Sequence, residues 1–221
     1  MKIHDVRKKL PKHPSKKYKR RPLKKIKRIV VHCDDLGATV WDVARYDIKP
    51  NHLSKTGAPG ITYHYFIHKD GNVFYCQDEK VVTWHVANFN STSVGVCLSY
   101  KATGNDNPPT PEQDESLIYL LAKLCLSLGI QPTHVVGHRE LPGTGYVIRN
   151  GKKVLRKTCP GLAIDLAVVR FLVAIKIQTI LKVFGLYDAE VDGIWGPKSF
   201  KAFSDFIKYK KSFTGWRKLL S

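Results

Sequence analysis

Two short runs of β-branched residues in this chain each lead to a histidine. Residues 29–31 precede His32, and residues 135–136 are followed closely by His138. Such runs are typical of buried strands, so both imidazoles are expected at strand ends. Cys159 follows in the irregular segment 157–160. Two imidazoles and one thiolate leave a fourth tetrahedral position on zinc for water, and this open ligand set is typical of a catalytic site.

The segments between these residues predict an α/β fold. Residues 61–67 and 73–75 flank an Asp-Gly turn, which predicts a β-hairpin. Residues 94–98 predict another strand. Thr110, Pro111 and Gln113 have the pattern of a capping box, and the helix that they begin is expected to end at Gly129. This alternation predicts a mixed central β-sheet flanked by helices.

The apolar pattern changes near residue 166. From there to Gly185 the apolar residues repeat at helical spacing, and Pro197 begins a further helix. We therefore divide the chain into a basic N-terminal arm (1–20), a catalytic domain (21–165) and a small C-terminal helical module with a basic tail (166–221). About fifty residues bury little core alone, so the module is expected to pack against the catalytic domain.

Positive charge is concentrated at the N-terminus. The formal net charge is +19, and residues 1–28 hold fourteen Lys and Arg against one acid, Asp5. Charge of this density predicts an anionic polymer as partner: nucleic acid, anionic lipid, lipopolysaccharide or another bacterial envelope polymer. The alternative is a solvated, disordered arm. Because the sequence has no helix-turn-helix, zinc-finger or RNA-binding aromatic motif, we expect no specific nucleic-acid partner.

Cysteine usage and hydropathy bear on the compartment. The five cysteines are odd in number and lack the spacing of a disulfide framework, which favours a reducing compartment. The basic N-terminus is not followed by the apolar segment of a signal peptide. Residues 162–175 are apolar but short and contain Asp165 and Arg170, so they predict a buried helix and no transmembrane segment. We expect a monomeric protein made in the cytoplasm.

Several segments over residues 21–165 carry a resemblance to a known family. They include Ile29-Val30-Val31-His32-Cys33, Gly60-Ile61-Thr62-Tyr63-His64, Trp84-His85, Gly137-His138-Arg139-Glu140 and Lys157-Thr158-Cys159-Pro160. In this order they resemble the zinc N-acetylmuramoyl-L-alanine amidases of phage lysozyme type (amidase type 2), relatives of animal peptidoglycan-recognition proteins. The resemblance implies a peptidoglycan hydrolase that cuts the amide bond between N-acetylmuramic acid and L-alanine. It also implies one Zn²⁺ per chain, bound by His32, His138 and Cys159.

The resemblance implies roles for four further residues. Tyr63 corresponds to a proton acceptor or a hydrogen-bond donor to the substrate, and Lys157 to a cation that stabilises the tetrahedral oxyanion. His85 and Trp84 correspond to substrate-binding positions, and a packed histidine is the alternative for His85. Some relatives have a carboxylate where this chain has Cys97, which shifts the role of general base to Tyr63.

Two further segments bear on the biological role. Residues 186–198 resemble three-helix peptidoglycan-binding modules, with a helical extension that binds nothing as the alternative. The loop 141–156 is longer than in compact relatives and either covers the cleft or is a surface insertion. With the cationic arm and the missing signal peptide, these features suggest a phage endolysin that acts on cell-wall murein. The alternatives are a non-catalytic recognition protein of the same fold, against which Cys159 and Lys157 argue, and a basic nucleic-acid-binding protein.

Overall fold

A mixed six-stranded sheet forms the centre of the protein in the computed structural model, which describes residues 2–102, 108–149 and 151–210. In chain order the strands are β1 (Ile3–Asp5), β2 (Arg28–Cys33), β3 (Tyr65–Ile67), β4 (Val73–Tyr75), β5 (Ser93–Leu98) and β6 (Val135–Gly137). Their spatial order is β1-β4-β3-β5-β2-β6, and β3 and β4 pair antiparallel while the other neighbours are parallel. A separate hairpin consists of β7 (Tyr146–Arg149) and β8 (Lys152–Leu155).

Helices cover both faces of this sheet. The α-helices are α1 (Val40–Asp47), α2 (Pro111–Leu128), α3 (Leu166–Val183) and α4 (Pro197–Tyr209), and short 3₁₀ helices occupy Leu23–Lys25, Ala87–Thr92, Pro132–His134 and His138–Glu140. The predicted capping box is present, because the Thr110 side chain accepts from the Gln113 backbone N–H at the start of α2. The predicted α/β fold is therefore confirmed, including the hairpin of β3 and β4.

The central strands are buried because both of their faces are covered. All six residues of β5 are buried, as are five of the six in β2. Helices α2 and α3 pack on one face, where Leu121 and Val173 join the same apolar cluster as Val96. Helix α1 packs on the other face with Val43 against Phe66. Parallel strands need such double cover, which explains their nearly continuous apolar sequence.

The C-terminal helices share the apolar core of the sheet. Val173, Ile177 and Phe206 belong to one buried cluster with Val96 and Leu121, so the expected packing against the catalytic domain is present. The described part of the predicted module, residues 166–210, contains the two helices α3 and α4. The rest of the basic tail, residues 211–221, lies outside the described residues. Within the described ranges, none of the helices has the length and apolar character needed to span a membrane.

The N-terminal segment differs from the separate arm that its charge predicted. Strand β1 pairs in parallel with β4, and the side chains of Val6 and Leu10 are buried against α1. The hydroxyl of Tyr18 donates to the Gly60 carbonyl over 2.7 Å. Lysines dominate the composition of this segment, but its few apolar residues make the contacts. The charged residues between Val6 and Leu10 concealed this packing in the sequence. Long basic side chains can extend into solvent even when the segment that carries them is packed against the protein.

Deletion of residues 1–20 should therefore destabilise the whole fold. Full burial of an aliphatic side chain contributes about 1.5–3 kcal/mol, and Val6 and Leu10 are 4% and 5% exposed. We expect a loss of several kcal/mol in the free energy of unfolding, measured by urea denaturation. The double variant Lys8→Gln/Lys9→Gln is the control, because both side chains are exposed and only charge is removed. An unchanged unfolding midpoint in the deletion variant would contradict the structure.

Candidate active site

Neighbouring strands bring two histidines together at one edge of the sheet. Val31 pairs with Gly137 across β2 and β6, so the next residues, His32 and His138, lie side by side. Their ring centroids are 5.0 Å apart. Cys159 approaches from the segment before α3, and its Sγ is 3.6 Å from His32 Nδ1. The potential ligand atoms of the three residues all lie within 4.8 Å of one another, which suits a shared metal ion.

The protonation of this group also suits a metal. Burial lowers the pKa of His32, which favours the neutral imidazole with a free lone pair. A hydrogen bond from the Cys33 thiol, assisted by the two histidines, lowers the pKa of Cys159 well below its usual value. The same contact and burial raise the pKa of Cys33, which keeps its proton. Neutral imidazoles and a thiolate are the forms that bind zinc.

A cavity of about 570 Å³ opens beside this group. All seven site residues predicted from the sequence line it, namely His32, Tyr63, Trp84, His85, His138, Lys157 and Cys159. The cavity is wide enough for a ligand of the size of a small peptide or sugar unit. The structure thus brings together residues that are up to 127 positions apart in the chain.

Tyr63 and Lys157 have different environments in this cavity. The ring of Tyr63 lies 5.3 Å from that of His32, measured between centroids. Burial raises the pKa of Tyr63 well above 10, so its phenol stays protonated and is a hydrogen-bond donor. Lys157 is exposed at the wall, and its backbone N–H donates to the Gly145 carbonyl. An exposed ammonium at the cavity wall is accessible to a ligand in the cavity.

Trp84 and His85 are adjacent in sequence but differ in exposure. Trp84 is 38% exposed, and the N-terminal segment supports it through an edge-to-face contact with Tyr18 and through Lys16 Nζ, 5.7 Å above its ring. His85 is only 7% exposed. Its Nδ1 lies 2.9 Å from His32 Nε2 and its Nε2 lies 3.1 Å from Ser93 Oγ. Both ring nitrogens have partners inside the protein, which favours the packed histidine over the expected substrate contact.

Comparison with known proteins agrees with this geometry. The sequence profile of the N-acetylmuramoyl-L-alanine amidase family (Amidase_2) matches residues 22–162, a range that contains all seven site residues. The chain belongs to this amidase family. The amidase is 34% identical over 136 residues to the endolysin of Klebsiella phage KP32, which covers 60% of this chain and 79% of that endolysin. It is also 29% identical over 115 residues to peptidoglycan-recognition protein SC2 of Drosophila melanogaster, covering 52% and 55% of the two chains.

Solved structures agree in fold. The Ph2119 endolysin of a Thermus scotoductus bacteriophage superimposes with a TM-score of 0.57 at 20% identity, over 78% of this chain and 99% of that one. The amidase LysC from Clostridium intestinale gives 0.55 at 21% identity, over 77% and 95% of the chains. Together with the family match, these relatives identify the protein as a peptidoglycan hydrolase of the phage-endolysin type, an N-acetylmuramoyl-L-alanine amidase.

The loop 141–156 of the amidase contributes to the cavity. It contains β7 and β8, and Leu155 and Arg156, at the end of the hairpin, line the cavity beside Lys157. The backbone N–H groups of Arg156 and Lys157 both donate to the Gly145 carbonyl, so the base of the hairpin holds Lys157 at the wall. Of the two expectations for this loop, the structure therefore favours a role at the cleft.

Sequence reasoning missed three residues of the cavity and its surroundings. Cys33 is buried at the end of β2, and its thiol contacts Cys159 there. Ser93 reaches His85 from the neighbouring strand. Asp47, at the end of α1, lines the cavity wall and accepts from the Thr62 backbone N–H over 2.8 Å. The position of Cys33 next to His32 was the one available signal, since the other two contacts depend on tertiary structure.

Asp47 should give the amidase a measurable pH dependence of stability. Burial raises its pKa from 3.8 to about 6, so the folded state holds the proton more tightly than the unfolded state. The stabilising contribution is complete below pH 4 and is lost as pH rises through 6. Asp47→Asn keeps an acceptor for Thr62 and does not ionise. Between pH 4 and pH 7, wild type should lose up to ~3 kcal/mol relative to this variant in urea unfolding. Parallel pH profiles would contradict this assignment.

Proposed function

We propose that this amidase hydrolyses its substrate with one zinc ion held by His32, His138 and Cys159. The supporting observation is the convergence of three ligand atoms within 4.8 Å at the wall of a large cavity. Zinc in such a site lowers the pKa of a water molecule and polarises a carbonyl group. The three-residue donor set leaves room for that chemistry, which a four-residue structural site would not.

We assign the remaining steps to side chains of the cavity. The Lys157 ammonium holds the negative charge that develops on the carbonyl oxygen of the scissile amide. The Tyr63 hydroxyl, which keeps its proton, donates a hydrogen bond to the substrate. The exposed face of Trp84 provides an apolar surface for the glycan or the peptide stem. A purely recognising function would need neither the Cys159 thiolate nor the Lys157 cation in the same cavity.

Substitutions at Cys159 and Lys157 separate metal binding from charge stabilisation. Cys159→Ala should lower both zinc content and the release of L-alanine amino termini from purified sacculi. Lys157→Ala should lower turnover by roughly 10²–10³, the scale for one oxyanion donor, while zinc content stays near that of wild type. Lys152→Ala is the matched control, because Lys152 is an exposed lysine of the preceding hairpin and does not line the cavity. If both active-site variants lose zinc equally, this division of roles is wrong.

We further propose that the amidase acts on cell-wall murein as a single chain, after synthesis in the cytoplasm of an infected host. The fourteen basic residues of segment 1–28 would attract anionic envelope polymers through a long-range, salt-sensitive interaction. This attraction and the structural role of the segment are compatible, because Val6 and Leu10 are buried while Lys8 and Lys9 remain exposed.

The C-terminal helices are proposed to bind peptidoglycan. Support comes from the sequence resemblance of residues 186–198 and from Ile194, which is 67% exposed in this segment. Removal of the helices is an unsuitable test because they share the core of the sheet. Ile194→Asp should instead reduce the fraction of protein that pellets with insoluble sacculi, with the thermal unfolding midpoint unchanged. Equal pelleting of the variant and wild type would favour a helical extension without binding activity.

A further inference from the structure

A chain of hydrogen bonds connects His32 to the backbone of the Ala87–Thr92 helix. Ser93 Oγ lies 2.7 Å from the Phe89 carbonyl oxygen and 3.1 Å from His85 Nε2. His85 Nδ1 in turn lies 2.9 Å from His32 Nε2. Ser93, His85 and His32 are all buried, so bulk water competes little for these hydrogen bonds. The chain ends at the atom of His32 that faces away from the three-ligand group.

The direction of each bond follows from the chemistry of its partners. A carbonyl oxygen only accepts, so the Ser93 hydroxyl donates its hydrogen bond to the Phe89 carbonyl. The Ser93 oxygen must therefore accept from His85 Nε2–H. A neutral imidazole has one N–H, which leaves His85 Nδ1 as an acceptor. His32 therefore donates from Nε2, and its Nδ1 carries the lone pair. Nδ1 is the nitrogen that faces Cys159, at 3.6 Å from its Sγ.

We propose that Ser93 and His85 are positioning residues that fix the tautomer and ring orientation of His32, so that its Nδ1 is available to the metal. This inference rests on the proposed zinc site. Histidines that bind metals generally donate their second N–H to a partner, and loss of that partner weakens metal binding by about 10–100-fold. Here the partner is a second histidine, and its own orientation depends on a serine in the neighbouring strand.

The backbone of β5 provides independent support. Ser93 and Gly95 are two residues apart on this strand and so share one of its faces. A Cβ atom at Gly95 would lie 2.7 Å from both Cγ and Nδ1 of His85, closer than real side chains approach. The absence of a side chain at this position leaves the space that the His85 ring occupies. Strand β5 thus positions the His85 ring in two ways: Ser93 forms a hydrogen bond with it, and Gly95 leaves the space that it needs.

Zinc affinity of full-length variants tests the proposal. We expect Ser93→Ala to raise the dissociation constant for zinc by ~10-fold or more, measured by competition with a chromogenic chelator. The matched control is Thr83→Val, since Thr83 is also a buried hydroxyl next to a buried histidine, 3.3 Å from His64 Nδ1. This second pair has no hydrogen bond to His32 among those described, and the control should bind zinc like wild type. Equal weakening by the two substitutions would overturn the proposal.

The tautomer of His32 gives a readout that is independent of activity. In zinc-free wild-type protein, ¹⁵N NMR of the imidazoles should place the His32 proton on Nε2; a proton on Nδ1 would overturn the proposal. His85→Asn, whose amide oxygen can accept from His32, should retain more zinc affinity than His85→Leu. The ¹⁵N spectrum of the wild-type protein tests the proposed tautomer even if a variant does not fold. Wild-type protein that fails to bind zinc would refute the proposed metal site, whereas a wild type that binds zinc with His32 in the other tautomer would refute this inference alone.

Discussion

The parallel pairing of β2 with β6 is the contact on which the active site depends. The backbone register of the two strands places His32 and His138 next to each other at the carboxyl edge of the sheet. On its other side, β2 pairs in parallel with β5, where Gly95 lies opposite Val30, two residues before His32. The buried strands β2 and β6 therefore set the positions of the two histidine ligands, since His32 lies in β2 and His138 directly follows β6. The other five site residues lie in segments without helix or strand, namely Tyr63, Trp84, His85, Lys157 and Cys159. Precision at a metal site requires such rigid support.

The apolar clusters on the two faces of the sheet include residues from both the N-terminal segment and the C-terminal helices. The C-terminal helices pack on the face of α2, and the N-terminal segment packs on the face of α1. Arg21 strengthens the second contact, since its buried guanidinium donates to the Ser93 carbonyl over 2.6 Å. Tyr18 and Lys16 continue it to Trp84 at the cavity wall. The basic segment thus has a structural role near the active site in addition to any attraction for anionic polymers.

Local patterns in the sequence were sufficient for the fold, whereas the expected ligand group came from the family resemblance. The β-branched runs located β2 and β6, the Asp-Gly turn located the hairpin of β3 and β4, and the capping box located α2. Contacts that depend on tertiary neighbours were not accessible in this way. The charge of residues 1–20 concealed the burial of Val6 and Leu10, and the partners of His85 come from two different strands. Both differences have one cause. The composition of a segment is local information, whereas its packing depends on contacts that a few of its residues make with distant parts of the chain.

Metal dependence tests the central claim most directly. Purified protein should contain about one zinc per chain, as expected for three ligands that converge on one position. After removal of zinc with a chelator, incubation with purified sacculi should release no new L-alanine amino termini, and addition of zinc should restore the release. New reducing sugar ends should not form in either case, because the amidase cuts an amide bond. Full release of L-alanine amino termini by metal-free protein would contradict the account.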